Sequence, residues 1–258
     1  MNEPAATDSL DTVPQIDLRI PGPWKSPEEL VESLRKAKTG YGVTAEGAFV
    51  HEKSGRKFLF SASAPDDEIA GLFAHTGRLS DGEVKALAAH KVKVHVSGPG
   101  GSAEAAKAVM KAATALIRAG GLGVFVDNSG NAHGVDDWLA LAGDTQSGGL
   151  YWAYVSATGD RQTVWSMGMH CLGFRDAEVV GVPDRNAAGF LLHNFLGYAS
   201  QSGIPICDGD AVGGESGPLF RAHARPCTRF KPGTPFHNPY GVWRLEPIEG
   251  DGPDALDD

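Results

Sequence analysis

No apolar run in this chain approaches the ~20 residues that a helix needs to cross a bilayer, so no membrane role is expected. Basic charge is also short. Lys and Arg number 23 against 32 Asp and Glu, a formal net charge of -9. Nucleic acid binds to basic surfaces that release counterions, so it is not an expected partner. Net charge speaks to solubility and association rather than to fold, and an acidic balance leaves room for a protein partner. Cysteine is scarce: Cys171, Cys207 and Cys227 are odd in number, widely spaced and form no CxxC pair. A reducing compartment is the simplest reading. Met1 to Thr12 is acidic and lacks the apolar core of a secretory leader, and a cytoplasmic location is expected. The nine histidines include no HExxH and no HxH, so no metal site is expected. Neither a GxSxG elbow nor a kinase set is present, and no cofactor is expected.

What the chain does have is length and turns. Its 258 residues can bury a substantial core without disulfides or metals, and 34 Gly and 16 Pro spread along it imply many turns. Hydrophobic residues make up 41% and the mean hydropathy is -0.20, as in a globular domain. Residues 1–14 are polar, acidic and proline-containing, which predicts disorder. Residues 248–258 read as an acidic disordered tail. One α+β domain is expected over 15–247.

Within that domain a pattern recurs. Gln15 to Ile20 alternates like a strand, and Ser26-Pro27-Glu28-Glu29 opens a helix as cap, first-turn proline and capping-box acid. Phe49 to Phe60 reads as a hairpin, residues 66–75 and 81–89 as short helices, Val92 to Val96 as a strand, and Ala103 to Ala119 as an amphipathic helix. Leu122 to Val126 closes this first half, 47–130. The second half, 149–213, repeats the order: a hairpin from Tyr151–Val155 and Thr163–Met167, a strand at 178–182, a helix at 186–201, and a closing strand at Ile204–Cys207. Leu219–Ala222 and Gly241–Leu245 are read as further strands. The fold class expected is α+β, a mostly antiparallel sheet with helices on one side, built from two pseudo-repeated hairpin–strand–helix–strand halves.

Four segments could carry chemistry. Gly98, Gly100, Gly101 and Ser102 lead from a strand into a helix, where free N–H groups and the dipole attract anions. No lysine follows the glycines, and a tight turn capped by Ser102 explains them equally well. Asp127, with His133 after it, sits at the end of one strand, and Asp208 and Asp210 sit at the corresponding end of the other. Carboxylates so placed could act as acid and base, or form Asx turns beside glycine. His170 and Cys171 are neighbours, which on a strand would face opposite ways. Tyr151, Trp152 and Trp165 form an aromatic band suited to an interface or to cross-strand packing.

The stretch Trp165-Ser166-Met167-Gly168-Met169-His170-Cys171-Leu172-Gly173-Phe174-Arg175-Asp176-Ala177-Glu178-Val179 resembles the T-x-G-M-x-x-x-G-L-P-E-L-E motif of an uncharacterised bacterial family, domain of unknown function 4261. Asp208-Gly209-Asp210-Ala211-Val212-Gly213 is similar to that family's D-G-D-T-I-G. The resemblance spans roughly 45–213. It departs at Phe174-Arg175-Asp176, where Leu-Pro-Glu is usual, and at Ala211 in place of Thr. It implies a fold and no activity. The function expected is therefore a non-catalytic protein-binding domain in a neutralising or scaffold role. The alternative is a small-ligand binder or hydrolase-like enzyme that uses the acidic groups at the two strand ends.

Overall fold

A computed structural model of the chain describes residues 13–76, 79–144, 147–213 and 219–248. The expectations for residues 1–12 and 249–258 lie outside the described residues. In chain order the elements are β1 (Gln15–Gly22), α1 (Pro27–Ala37), β2 (Tyr41–Val43), β3 (Phe49–His51), β4 (Lys57–Ser63), α2 (Ile69–His75), α3 (Asp81–Ala88), β5 (Val92–Pro99), α4 (Ala103–Arg118), β6 (Val124–Val126) and β7 (Asn131–His133). Then come α5 (Val135–Gly143), α6 (Ser147–Tyr154), β8 (Ser156–Gly159), β9 (Thr163–Met167), a 3-10 turn (Met169–Leu172), β10 (Asp176–Val180), α7 (Arg185–Gln201), β11 (Ala211–Val212), β12 (Phe220–Arg225) and β13 (Val242–Pro247).

The class is α+β, as the sequence predicts. The strands form two sheets, one ordered β2-β3-β4-β5-β1-β6-β7 and the other β11-β12-β13-β10-β9-β8. Every pairing in the first is antiparallel, and in the second only β10 and β13 run parallel. β1 anchors the first sheet because its alternation is complete: Ile16, Leu18 and Ile20 are fully buried. It pairs with β5 from Gln15 opposite Pro99 to Gly22 opposite Val92. α4 covers this strand pair with Val109, Met110, Leu116 and Ile117, each worth about 1.5–3 kcal/mol of apolar burial. Trp24 closes the end of that layer, its indole N–H donating to the Ala119 carbonyl at 3.0 Å. α7 lies on β8, β9 and β10 with Ala188, Leu192, Phe195 and Leu196 inward. Among the described residues no helix is long and apolar enough to cross a membrane.

The expected pseudo-repeat is not confirmed. β3, β4 and β5 are sheet neighbours ahead of α4, and β8, β9 and β10 ahead of α7, but α2 and α3 stand between β4 and β5 where only the 3-10 turn stands between β9 and β10. Beyond that the halves diverge. β5 lies beside β1 antiparallel, whereas β10 lies beside β13 parallel. Two expected strands are absent. Tyr151–Tyr154 is the end of α6, because Asp144 Oδ2 accepts from the Gly149 amide at its start and Val155 N–H returns to the Tyr151 carbonyl. Tyr151, Ala153 and Tyr154 are all buried in that helix. Ile204–Cys207 pairs with no strand among the described residues, since Pro205 lacks a donor and the Cys207 amide donates to Asp210 Oδ2. His170 and Cys171 lie in the 3-10 turn rather than on a strand.

That turn is entered through Gly168 at φ 102°. A Cβ there would collide with the Tyr154 carbonyl oxygen. Gly168→Ala is expected to cost about 2 kcal/mol or more from backbone strain and this contact, read as a lowered urea midpoint with an unchanged slope.

Candidate functional site

The acidic groups have separate partners. Asp127 lies on the first sheet, where Arg19 grips it with Nη2 2.8 Å from Oδ1 and Nε 3.0 Å from Oδ2. Burial lifts its pKa while Arg19 and His95 pull it back. Beside it His95 Nε2 stands 3.4 Å from Asp17 Oδ1, and that contact raises the His95 pKa. Asp208 and Asp210 lie by the edge of the second sheet. Asp208 Oδ1 accepts from the Ala224 amide at 2.8 Å, and Asp210 Oδ2 from the Cys207 amide at 2.7 Å. They form turns, and Asp208 is 65% exposed. No hydrogen-bond or ion-pair partner is shared between Asp127 and the Asp208–Asp210 pair among the described residues. His133 is also committed elsewhere. Its Nε2 donates to the Ala153 carbonyl at 3.0 Å and its Nδ1 lies 2.6 Å from Asp137 Oδ2, which ties β7 to α5 and α6. Because Ile204–Cys207 is not a strand, the two acidic positions are not structurally equivalent.

The glycine loop offers little to an anion. The Gly100 amide donates to the Pro14 carbonyl and the Gly101 amide to the Cys171 carbonyl, at 2.7 and 3.0 Å. Ser102 caps α4 by accepting from the Ala105 amide. A Cβ on Gly98 would press on Phe58 and Val109, and one on Gly100 on Ile16. These glycines let the end of β5 approach its neighbours closely.

Sequence reasoning missed a buried polar network. Asn128 Oδ1 accepts from the Asp17 amide, and its Nδ2 lies within hydrogen-bond distance of the Gln15 and Pro235 carbonyls and, at 3.1 Å, of His170 Nε2. His170 Nδ1 is buried and has no partner among the described residues. Burial, with His237 nearby, lowers the His170 pKa to about 4. Asp176 is next along the same wall. Its Oδ1 accepts from the Ser166 hydroxyl at 2.8 Å and the Met169 amide at 3.2 Å, and its Oδ2 from Asn238 Nδ2 at 2.7 Å. Burial raises it to about 6 against the pull of these donors. Burial also pushes the Cys171 thiol up, away from the reactive thiolate. The sequence signal was a set of single polar residues in apolar surroundings, scattered from Asn128 to Asn238. Among the described residues no group of three His, Cys, Asp or Glu could hold a metal ion.

The aromatic residues separate into core and surface. Tyr151 is buried, its hydroxyl 2.7 Å from His193 Nδ1. Trp165 lies under the Arg229 guanidinium, 3.8 Å from ring centroid to Cζ. Trp152 is 47% exposed and tilts against His193 at 5.1 Å. It sits beside an outer face that α7 leaves bare, where Phe190 is 72% and Tyr198 48% exposed. From Asn186 to Gln201 that helix carries no Asp, Glu, Lys or Arg. On a chain with a net charge of -9 this is a neutral, aromatic strip. No family model, no curated protein and no solved structure matches the chain, and the functional reading is carried by these side chains.

Proposed function

We propose that the chain is a non-catalytic protein-binding domain of scaffold type, and that the α7 strip pairs with a second copy of the chain. The observation that carries this is the run of 16 residues, Asn186 to Gln201, with Phe190 and Tyr198 exposed and no acidic or basic side chain. Exposed aromatic patches mark interfaces, and aromatic side chains supply much of their energy. A basic partner would be met by the acidic surface. A like-charged partner needs a contact without charge, and a second copy of an acidic chain is such a partner. Closed pairs about a two-fold axis are the commonest assemblies. With two α7 helices antiparallel about Asn194, Phe190 of one faces Tyr198 of the other, because both lie four residues from that centre. Gly197 beside them has open space at its missing Cβ, which allows close approach. At physiological salt, charges beyond about 8 Å are screened.

Light scattering on the eluting protein is expected to give twice the 27.1 kDa chain mass. Phe190→Asp with Tyr198→Asp is expected to weaken self-association at least about thirtyfold, as loss of an anchor worth ~2 kcal/mol would. The far-UV spectrum stays the same because both side chains point outward. A chain that stays at 27.1 kDa up to about 100 μM, or a dimer untouched by the double variant, would defeat the proposal.

A further inference from the structure

The second sheet holds a cleft that pairing through α7 does not explain. Its walls are β9, β10 and β13 and the segment that leaves β12, and its volume is about 600 Å³, within the range of small-molecule sites. Arg225, Arg229 and Arg244 line it together with Asp176 and Glu178. Glu178 and Glu246 offset Arg229 and Arg244, which leaves Arg225 as the one arginine of the cleft without an ion pair among the described residues.

Two of the guanidinium groups are held in place. Glu178 bridges them, with Oε2 3.1 Å from Arg229 Nη2 and Oε1 2.8 Å from Arg244 Nη1. Glu246 takes Arg244 Nε at 2.7 Å, and Arg229 is stacked on Trp165. A stacked, bridged guanidinium loses little freedom when it binds, and each has five N–H donors and no acceptor. These contacts use only part of that supply. Arg225 forms no ion pair among the described residues. The indole N–H of Trp165 is likewise buried without an acceptor among them. The cleft is rich in oriented donors, poor in acceptors and walled in part by the Trp165 and Phe230 rings.

We propose that this cleft binds a small organic carboxylate, a monoanion with an apolar or aromatic body, through Arg225 and Arg229. Guanidinium and carboxylate match as two-pronged partners. One unpaired guanidinium, Arg225, suits one carboxylate better than a doubly charged phosphate monoester, which would leave a negative charge uncompensated.

The test is calorimetric titration of the full chain with benzoate, phenyl phosphate and benzamide. Benzoate is expected to bind with Kd below about 1 mM, and benzamide, which has the same body without the charge, at least about tenfold more weakly. Arg225→Gln and Arg229→Gln each weaken benzoate about tenfold, whereas Arg56→Gln, which breaks an ion pair to Glu104 of α4, leaves it unchanged. The Phe190→Asp, Tyr198→Asp chain binds benzoate as the parent does, so the cleft and the α7 reading stand or fall separately. Absence of benzoate binding at about 10 mM, equal affinity for benzamide, tighter binding of phenyl phosphate, or indifference to both arginine substitutions overturns the assignment. Arg225 and Arg229 are exposed enough that folding should survive, and the comparison of benzoate with benzamide decides the matter on the parent chain alone.

Discussion

Asp176→Ala is expected to lower the free energy of unfolding by about 3–4 kcal/mol at neutral pH, read from urea or guanidinium midpoints. The carboxylate is buried and accepts from three donors: the Ser166 hydroxyl, the Met169 amide and Asn238 Nδ2. Ser166 and Asn238 are themselves buried, so water cannot replace what the mutation removes. Each stranded donor costs about 1–3 kcal/mol. Against that stands the relief of no longer burying a carboxylate whose pKa burial lifts to about 6, and three donors outweigh it. Asp176→Asn is expected to recover little. An amide turned one way sets its NH2 against the Ser166 and Met169 donors, and turned the other way against Asn238. Asn238 cannot flip to help, because its Oδ1 accepts from the Tyr240 amide and its Nδ2 also donates to the Phe174 carbonyl. If Asp176→Asn cost less than about 1 kcal/mol, the network as described would be wrong. The loss should also loosen the 3-10 turn and the Asn238 loop together, since Asp176 is the group that ties both to the start of β10.

What was legible in the sequence follows a physical line. Elements set by local chemistry were readable: β1 from its alternation, α1 from Ser26 as its cap, and α4 from its apolar stripe. The Phe49–Phe60 hairpin was readable from Lys53-Ser54-Gly55-Arg56. Elements set by distant partners were not. Tyr151–Tyr154 is rich in β-formers yet helical, because tertiary burial of Tyr151 and Tyr154 and the Asp144 cap decide its state. The parallel pairing of β10 with β13 joins segments separated by more than sixty residues, and no local pattern specifies it. The candidate site shows the same division. Asp127, Asp208 and Asp210 were conspicuous because they sit beside Asn and Gly, but that neighbourhood is also what a turn requires, and a turn is what Asp208 and Asp210 make. Asp176 and Asn128, which join distant segments, were inconspicuous because each stands alone in sequence. Phe190 and Tyr198 were hidden for another reason. In a helix as apolar as α7, periodicity alone does not show which aromatics face outward, and only the position of β8–β10 beneath it does.

The second large effect concerns pH, and it arises because two buried groups oppose each other. His170 has a folded pKa of about 4, below its ordinary 6.5. Burial disfavours the imidazolium, and the geometry agrees: an imidazolium carries a proton on both ring nitrogens, and the buried Nδ1 has no acceptor among the described residues. Between about pH 4 and 6.5 the unfolded chain holds a proton here that the folded chain lacks. Stability from this group is therefore present above pH 6.5 and is lost as pH falls, by about 3 kcal/mol in all. Asp176 runs the other way. Its folded pKa of about 6 stands above its ordinary 3.8, so the folded chain holds the extra proton in that window, and stability rises by about 3 kcal/mol as pH falls from 6 towards 4. The two slopes nearly cancel in the parent protein. His170→Gln keeps an acceptor for Asn128 but does not titrate, and it leaves the Asp176 slope exposed. The stability of this variant relative to the parent is expected to climb by about 3 kcal/mol between pH 7 and pH 4, measured as the difference between urea midpoints at each pH. Taking that difference removes the contribution of every other titrating group the two proteins share. A flat difference profile would mean that His170 titrates in the folded chain as it does in the unfolded one.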